Sequence, residues 1–187
     1  MLKTTFTQKH IILGSNKIWR DRDESKCMEE PVKVQVSGIA QVETPYGLTP
    51  VLFLEDERER VLAIAIGGAE ASSIAAAIRG FQPPAPNTHD FMMKVLSEVN
   101  VKVKRGEIYD LESNRFLARL VIESSGNEIE VDGRPSDIIA LTVRAGADIY
   151  VAEEVMREAS IEKSVLLREA EKSEREDTEE ESGEDIE

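Results

Sequence analysis

Apolar and polar residues alternate from Val32 to Ser37, which predicts a strand with one buried face. Two further apolar runs, each bounded by turn-forming or charged residues, predict strands at residues 50–55 and 61–66. Later runs of the same kind predict strands at residues 101–109, 115–123, 128–131 and 149–151. Strands therefore lie on both sides of a central region that has a different pattern.

That central region and the end of the chain predict helices. A glycine pair at residues 67–68 ends the third strand, and the helix that follows has Ile74 and Ile78 on one face. Pro135 begins a later helix, where its missing N–H costs nothing. From Ala152 onward the chain is again predicted to be helical.

The helix between these two is predicted from its cap. Thr88 is a good N-cap for a helix at residues 90–99. The apolar residues at helical spacing form its predicted buried side: Phe91, Val95, Leu96 and Val99. Three prolines within residues 82–87 make the preceding segment a stiff, extended connector.

The order of elements, strands then helices then strands, predicts an α+β fold rather than a regular βαβ repeat. We expect a single domain with a mixed sheet of about six to eight strands and three to four helices. Residues 1–30 are expected to be a poorly ordered extension, 31–160 the folded domain, and 161–187 an acidic tail that passes from helix to disorder. The abrupt onset of pattern at Val32 also suggests the hypothesis that Met28 is the natural first residue.

The charge of the chain limits how it can contact nucleic acid. Of the net charge of -14, the three segments carry +1, -7 and -8 in chain order. Proteins that hold duplex DNA through its backbone usually have a basic face, because counterion release supplies the affinity. Any contact with nucleic acid is therefore expected to be local, weak or assisted by a divalent cation.

Cysteine content and hydropathy point to the cytoplasm. Cys27 is the only cysteine, so an intramolecular disulfide and a cysteine-rich zinc site are both excluded. No run of roughly 18 apolar residues occurs, so we expect no membrane-spanning helix. The N-terminal residues also lack the apolar core of a secretory signal.

Three short stretches combine turn residues with polar residues that a plain core does not need: residues 64–71, 86–90 and 132–137. Hydrolysis of a phosphodiester needs a positioned water, a proton acceptor and positive charge near the non-bridging oxygens. The stretches supply such groups: Glu70, Thr88, His89, Asp90, Asp132, Arg134, Ser136 and Asp137.

Each candidate also has a structural explanation. Glu70, Asp90 and Asp137 fall in predicted first turns of helices, where a carboxylate complements the helix dipole or caps free N–H groups. His89 can act as general base or metal ligand, or can simply bond a backbone carbonyl. Arg134 suits a phosphate and a buried carboxylate equally well.

The order of the three stretches resembles the bifunctional nuclease domain. The matching motifs read IGGAEA at residues 66–71, THD at 88–90 and DGRPSD at 132–137, followed by an aliphatic helix and an Ile-Tyr-Val strand. The resemblance covers roughly residues 32–159. It implies an α+β domain, usually a homodimer, in a family named for the RNase and DNase activity of some plant members. The chain departs from the family in having Ala85 where an arginine often precedes the proline.

Together with this resemblance, the residues predict a nuclease that hydrolyses phosphodiester bonds of RNA or single-stranded DNA with a divalent ion, Mg²⁺ or Mn²⁺. The roles are these: catalysis by His89, Asp90 and Arg134; substrate binding by Arg134, Ser136 and Thr88; metal binding by Glu70, Asp132 and Asp137. The alternative is a homodimeric, non-catalytic module that binds a ligand or regulates a partner. An open cleft shared by the three motifs favours the enzyme, whereas buried and mutually paired motifs favour the module.

Overall fold

The structure is a computed structural model that describes residues 29–44, 47–168 and 172. Its elements, in chain order, are β1 (Val32–Thr44), β2 (Gly47–Asp56), β3 (Arg60–Ala65), α1 (Gly68–Ile78), α2 (Thr88–Glu98), β4 (Val101–Glu112), β5 (Arg115–Ser124), β6 (Asn127–Gly133), α3 (Pro135–Ala145), β7 (Asp148–Val151), α4 (Glu153–Ala159) and β8 (Ser160–Glu162). Residues 163–168 form one more short helical segment.

All eight strands belong to one sheet in the order β6-β5-β4-β7-β1-β2-β3-β8. β4 and β7 are parallel, and every other neighbouring pair is antiparallel. The sheet is therefore mixed, and the helices follow no regular βαβ repeat. The predicted fold class, a single α+β domain, is confirmed.

The core lies where α1, α3 and α4 cover the sheet. Helix α3 contributes the continuous buried run Ile138–Thr142. Its ends are well defined, because Pro135 occupies the first turn and Gly146 takes a left-handed conformation (φ 63°) after the last. A helix fixed at both ends and buried along its centre holds its N-terminal residues, which carry one of the polar motifs, in a defined position.

The predicted N-cap of α2 is wrong by one residue. Asn87 is the cap: its side-chain oxygen accepts hydrogen bonds from the backbone N–H groups of His89 and Asp90. In return, Asp90 accepts a bond from the backbone N–H of Asn87, which completes a capping box. Thr88 becomes the first helical residue and is exposed.

The predicted buried side of α2 is also wrong. Phe91, Val95 and Val99 are 60%, 43% and 59% exposed, Leu96 is half-buried, and only His89 of this helix is buried. The polar bonds of the first turn, described below, turn His89 toward the body of the protein. The apolar stripe therefore faces outward.

A continuous helix from Ala152 is not observed either. Helix α4 ends at Ser160, whose extended conformation (φ -85°, ψ 157°) begins strand β8, and β8 pairs with the first three residues of β3. The predictions for residues 1–28 and for most of the acidic tail concern residues outside the described part of the chain, and they stay predictions.

Candidate functional site

Three helices begin close together, and each has one acidic residue in its first turn. These residues are Glu70 in α1, Asp90 in α2 and Asp137 in α3. The positive ends of the helix dipoles stabilise carboxylates at such positions. This stabilisation explains how three carboxylates can lie in one small region. Two arginines, Arg134 and Arg144, further offset their negative charge.

Arg134 joins two of these carboxylates. Its Nε and Nη2 donate to the two oxygens of Asp137 at 2.7 and 2.9 Å, and Nη2 also donates to Oε1 of Glu70 at 2.7 Å. Both bonds raise the pKa of the guanidinium above its ordinary value, Asp137 contributing more than Glu70. The side chain is nevertheless 67% exposed. No acceptor among the described residues bonds to its Nη1, so one edge of this fixed cation faces water.

Asp137 is held from a second direction by His89. Nε2 of His89 lies 3.3 Å from Oδ1 of Asp137, and Nδ1 lies 2.9 Å from the hydroxyl of Ser73. Burial raises the pKa of Asp137, but the hydrogen bonds from Arg134 and His89 outweigh it and hold the pKa below its usual value. Asp137 is therefore an ionised, well-oriented carboxylate.

Arg144 extends this chain of bonds to Asp90. Its Nη2 donates to the Ser73 hydroxyl at 2.8 Å and its Nε donates to Asp90 at 2.7 Å. Because an arginine only donates, the Ser73 hydroxyl accepts here and can give its own proton to Nδ1 of His89. The carboxylate of Asp137 only accepts, so Nε2 of His89 is the donor in their bond. Both ring nitrogens are engaged, and His89 is only 8% exposed.

Asp90 is the carboxylate on the other side of this network. Burial raises its pKa, while the bonds from Arg144 and from the backbone N–H of Asn87 lower it further than burial raises it. Asp90 is therefore ionised and paired. Its bond to Arg144 ties the start of α2 to α3.

A groove of about 1150 Å³ lies next to this network. Asp132, Arg134 and Ser136 line it, although Ser136 itself is only 6% exposed. Asp132 accepts a hydrogen bond from the hydroxyl of Tyr109 at 3.2 Å. Thr88 is exposed and is not among the groove residues.

The structure thus brings Glu70, His89, Arg134 and Asp137 into direct contact and adds Asp90 through Arg144 and Ser73. The sequence analysis missed Ser73 and Arg144. Arg144 had a detectable signal: it lies seven residues after Asp137, on the same face of an otherwise apolar helix. Ser73 had none, because its partners lie 16 and 71 residues away.

A divalent ion can be tested against these donors. In the described part of the chain, no three His, Cys, Asp or Glu side chains form a group that could hold a metal. Glu70 and Asp137 are two carboxylates that face one guanidinium. Mg²⁺ usually keeps several waters and needs only one or two carboxylates plus a substrate phosphate. Glu70 and Asp137 are the described carboxylates that such a substrate-assisted site would use, and the ion stays a prediction.

Among the residues that the structure describes, no helix is both long enough and apolar enough to span a membrane.

Comparison of the sequence with known proteins identifies a family. Residues 51–164 match the model of the bifunctional nuclease domain. The chain is also similar to the uncharacterized proteins MT1877 and Rv1829 of two Mycobacterium tuberculosis strains, CDC 1551 / Oshkosh and H37Rv. Each is 36% identical over 129 residues, which cover 69% of this chain and 76% of the relative. The matched region contains all three polar motifs, and the chain belongs to the bifunctional nuclease domain family.

Proposed function

We propose that this chain binds single-stranded nucleic acid and hydrolyses phosphodiester bonds of RNA or single-stranded DNA. The observation that carries the proposal is Arg134: two carboxylates orient its guanidinium, yet 67% of the side chain is exposed at the border of a large groove. A preorganised, water-facing guanidinium is well suited to the oxygens of a phosphate. Family membership supports contact with nucleic acid.

In this scheme Arg134 stabilises the transition state. Negative charge accumulates on the non-bridging oxygens during phosphoryl transfer, and a donor that is already oriented stabilises it without further reorganisation. Nη1 is the available donor, since Nε and Nη2 are bonded to Asp137 and Glu70. Losing one donor of this kind typically costs about 10²- to 10³-fold in rate.

Glu70 and Asp137 are the proposed ligands of Mg²⁺ or Mn²⁺. When bound, such an ion lowers the pKa of a coordinated water and polarises the phosphoryl group. His89 acts as a positioning residue here, because both its nitrogens are engaged and it holds Asp137 in one orientation. Asp90 supports the same arrangement through Arg144. Three predicted residues lie outside this contact network: Asp132, Ser136 and Thr88. Their proposed role is limited to contact with the substrate or with the approaching ion.

Local charge decides how strongly the substrate is attracted. The network has three carboxylates and two guanidinium groups, and the three helix N-termini offset the remaining negative charge. We therefore propose contact with only one or two phosphates, with a correspondingly weak dependence of binding on salt concentration. Cytoplasmic action, suggested by the single cysteine, is part of the same proposal.

The test is cleavage of labelled single-stranded RNA and DNA, titrated with Mg²⁺ and Mn²⁺. Arg134→Ala should lower kcat/KM by about 10²-fold or more. Arg157→Ala is the matched control, because Arg157 is also an exposed arginine paired with one carboxylate, and lies away from the network. Equal loss in both variants, or no divalent-dependent cleavage by the wild-type protein, would contradict the proposal.

A second candidate is a homodimeric regulatory module, and the outward face of α2 favours it. Phe91, Met92, Val95 and Val99 form an exposed apolar stripe on one helix. Contiguous exposed apolar surface commonly marks an interface, and a twofold pair of identical stripes is the simplest closed arrangement. We propose a second copy of this chain as the occupant.

Sedimentation over a range of concentrations tests this candidate. Phe91→Glu should convert a dimer into a monomer, whereas Leu48→Glu should not, because Leu48 is equally apolar and 72% exposed but lies in the β1–β2 hairpin. A wild-type protein that stays monomeric at high concentration rules the dimer out. A dimer without cleavage of any nucleic acid favours the module over the nuclease.

A further inference from the structure

Two strands of the sheet extend beyond their outer neighbours. β8 pairs only with Arg60–Leu62 of β3, so the rest of β3 has no neighbouring strand on that side in the described part of the chain. β6 pairs with β5 only from Ala118 onward, so the first three residues of β5 likewise have no outer neighbour there. The sheet therefore has a free stretch of edge on β3 and another on β5.

These two free edges line the same groove. Ala63 and Ala65 of β3 and Phe116 and Leu117 of β5 are among its lining residues, although four strands separate β3 from β5 in the sheet order. The curvature of the sheet brings the two edges together. At about 1150 Å³ the groove exceeds the roughly 300–1,000 Å³ of small-molecule pockets, which suits a segment of polypeptide.

The two edges also run in the same direction. The free stretch of β3 begins beside Ala159 of α4 and ends at Ala65. Gly67, two residues further on, lies against Glu70 and thus near Arg134. β5 approaches the same arginine, because Ala118 pairs with Gly133. One additional strand can therefore lie antiparallel to both edges at once.

The backbone of β3 presents hydrogen-bonding groups to this groove. The N–H of Ile66 donates to the carbonyl of Pro50 on β2. Since successive residues of a strand direct these groups to opposite sides, Ala63 and Ala65 direct theirs away from β2 and into the groove. Exposed edges of this kind bind extended peptides by strand addition.

We infer that a strand from the chain's own N-terminal segment, within residues 4–13, inserts between β3 and β5. Residue 29 shows where that segment joins the described structure: the Glu29 carboxylate pairs with Arg157 of α4. A strand antiparallel to both edges leaves the groove at its α4 end, close to this junction. The 15 residues between positions 13 and 29 are long enough to make the connection.

The composition of the segment supports this occupant. Six of the ten residues at positions 4–13 are Thr, Ile or Phe, which favour strands. Residues 1–20 contain four basic residues and no acidic ones, whereas residues 31–160 contain 13 basic and 20 acidic residues. A basic segment against an acidic domain is electrostatically favoured. The inserted strand occupies the groove that Arg134 borders, but the inference does not require that the protein cleaves nucleic acid.

Amide hydrogen exchange of the full chain, resolved by residue with NMR, tests the insertion. In the wild-type protein the amides of Ala63 and Ala65 should exchange slowly. The double variant Thr5→Pro and Thr7→Pro removes two donors on one edge of the inserted strand, and should speed that exchange about tenfold or more. The control pair Gly14→Pro and Asn16→Pro has the same spacing outside residues 4–13 and should leave the exchange unchanged.

Several results would overturn the inference. Fast exchange at Ala63 and Ala65 in the wild-type protein, or equal exchange in both double variants, excludes insertion. Protection that disappears on dilution, as a dimer dissociates, assigns the strand to a second copy. An oligonucleotide that protects these amides without displacing residues 4–13 assigns the groove to nucleic acid. A native protein whose intact mass begins at Met28 removes the segment altogether.

Discussion

Arg60 and Arg134 each bridge two carboxylates, but only Arg134 is largely exposed to water. Arg60 donates to Asp56 at 2.8 Å and to both oxygens of Glu153 at 2.9 Å, and the three side chains are 15%, 0% and 16% exposed. Arg134 makes three bonds to the carboxylates of the candidate site, but none of them uses Nη1, and the side chain is 67% exposed.

The comparison shows that pairing alone does not identify a functional arginine. The Arg60 cluster joins the β2–β3 turn to α4, and its cation has no open side for a ligand. Arg134 is held as firmly, but a phosphate can reach it without breaking the pairs. Exposure of one edge, combined with fixed orientation, is the feature that separates a candidate binding group from a structural one.

Replacing each arginine by methionine should give the largest contrast. Arg60→Met leaves the fully buried carboxylate of Asp56 without its cation, which should cost about 3–5 kcal/mol of unfolding free energy. Arg134→Met breaks an exposed pair and should cost about 1 kcal/mol or less. Urea denaturation at pH 7 measures both. Similar losses of unfolding free energy would mean that the Arg134 cluster is a structural element like the Arg60 cluster.

Much of the fold could be predicted from sequence, for local reasons. The alternation that begins at Val32 predicts β1, and Pro135 predicts the start of α3. Each of these signals spans only a few residues, and the structure contains both elements. β8 could not be predicted, because its three residues form a strand only by pairing with β3. The cap at Asn87 was missed although its capping box with Asp90 is local.

The candidate site was predictable in its residues but less so in its arrangement. The motifs around Glu70, His89 and Asp137 do converge, because each lies at a helix start and α1 and α2 both pack on α3. The exposed face of α2 was not predictable, since it depends on Arg144 and Ser73 drawing the first turn of α2 inward. Contacts between residues so distant in sequence leave no periodic pattern.

Replacing His89 should have an effect of intermediate size, and it tests the role of the exposed cluster around Arg134. His89→Gln removes the donor to Asp137 and leaves the buried Ser73 hydroxyl poorly matched, which should cost about 1–3 kcal/mol of stability. If His89 only positions Asp137, kcat should fall while KM changes little and the pH profile keeps its shape. Loss of one limb of a bell-shaped profile would instead identify His89 as the general base.

The smallest effect should appear in the acid dependence of stability. Asp137 has a pKa in the folded protein below its usual value near 3.9, because Arg134 and His89 outweigh burial. Its stabilising contribution is therefore complete above that unfolded-state value and is lost as the pH falls through the lower, folded-state value. Burial likewise raises the pKa of Asp56, but the bonds from Arg60 and Arg58 lower it further, so the sign is the same.

Replacing Asp56 and Asp137 distinguishes the buried cluster around Arg60 from the exposed cluster around Arg134. The unfolding free energy falls as the pH drops from about 5 to about 2. Asp137→Asn should make this fall smaller by only about 0.5 kcal/mol, because the pair of Asp137 with Arg134 is exposed to solvent. Asp56→Asn should reduce the fall in unfolding free energy by more, because the Asp56 side chain is fully buried. Urea denaturation at pH 7, 5, 3 and 2 measures both losses. A larger change for Asp137 would reverse the ranking of the two clusters, and would show that water does not weaken the pairs around Arg134.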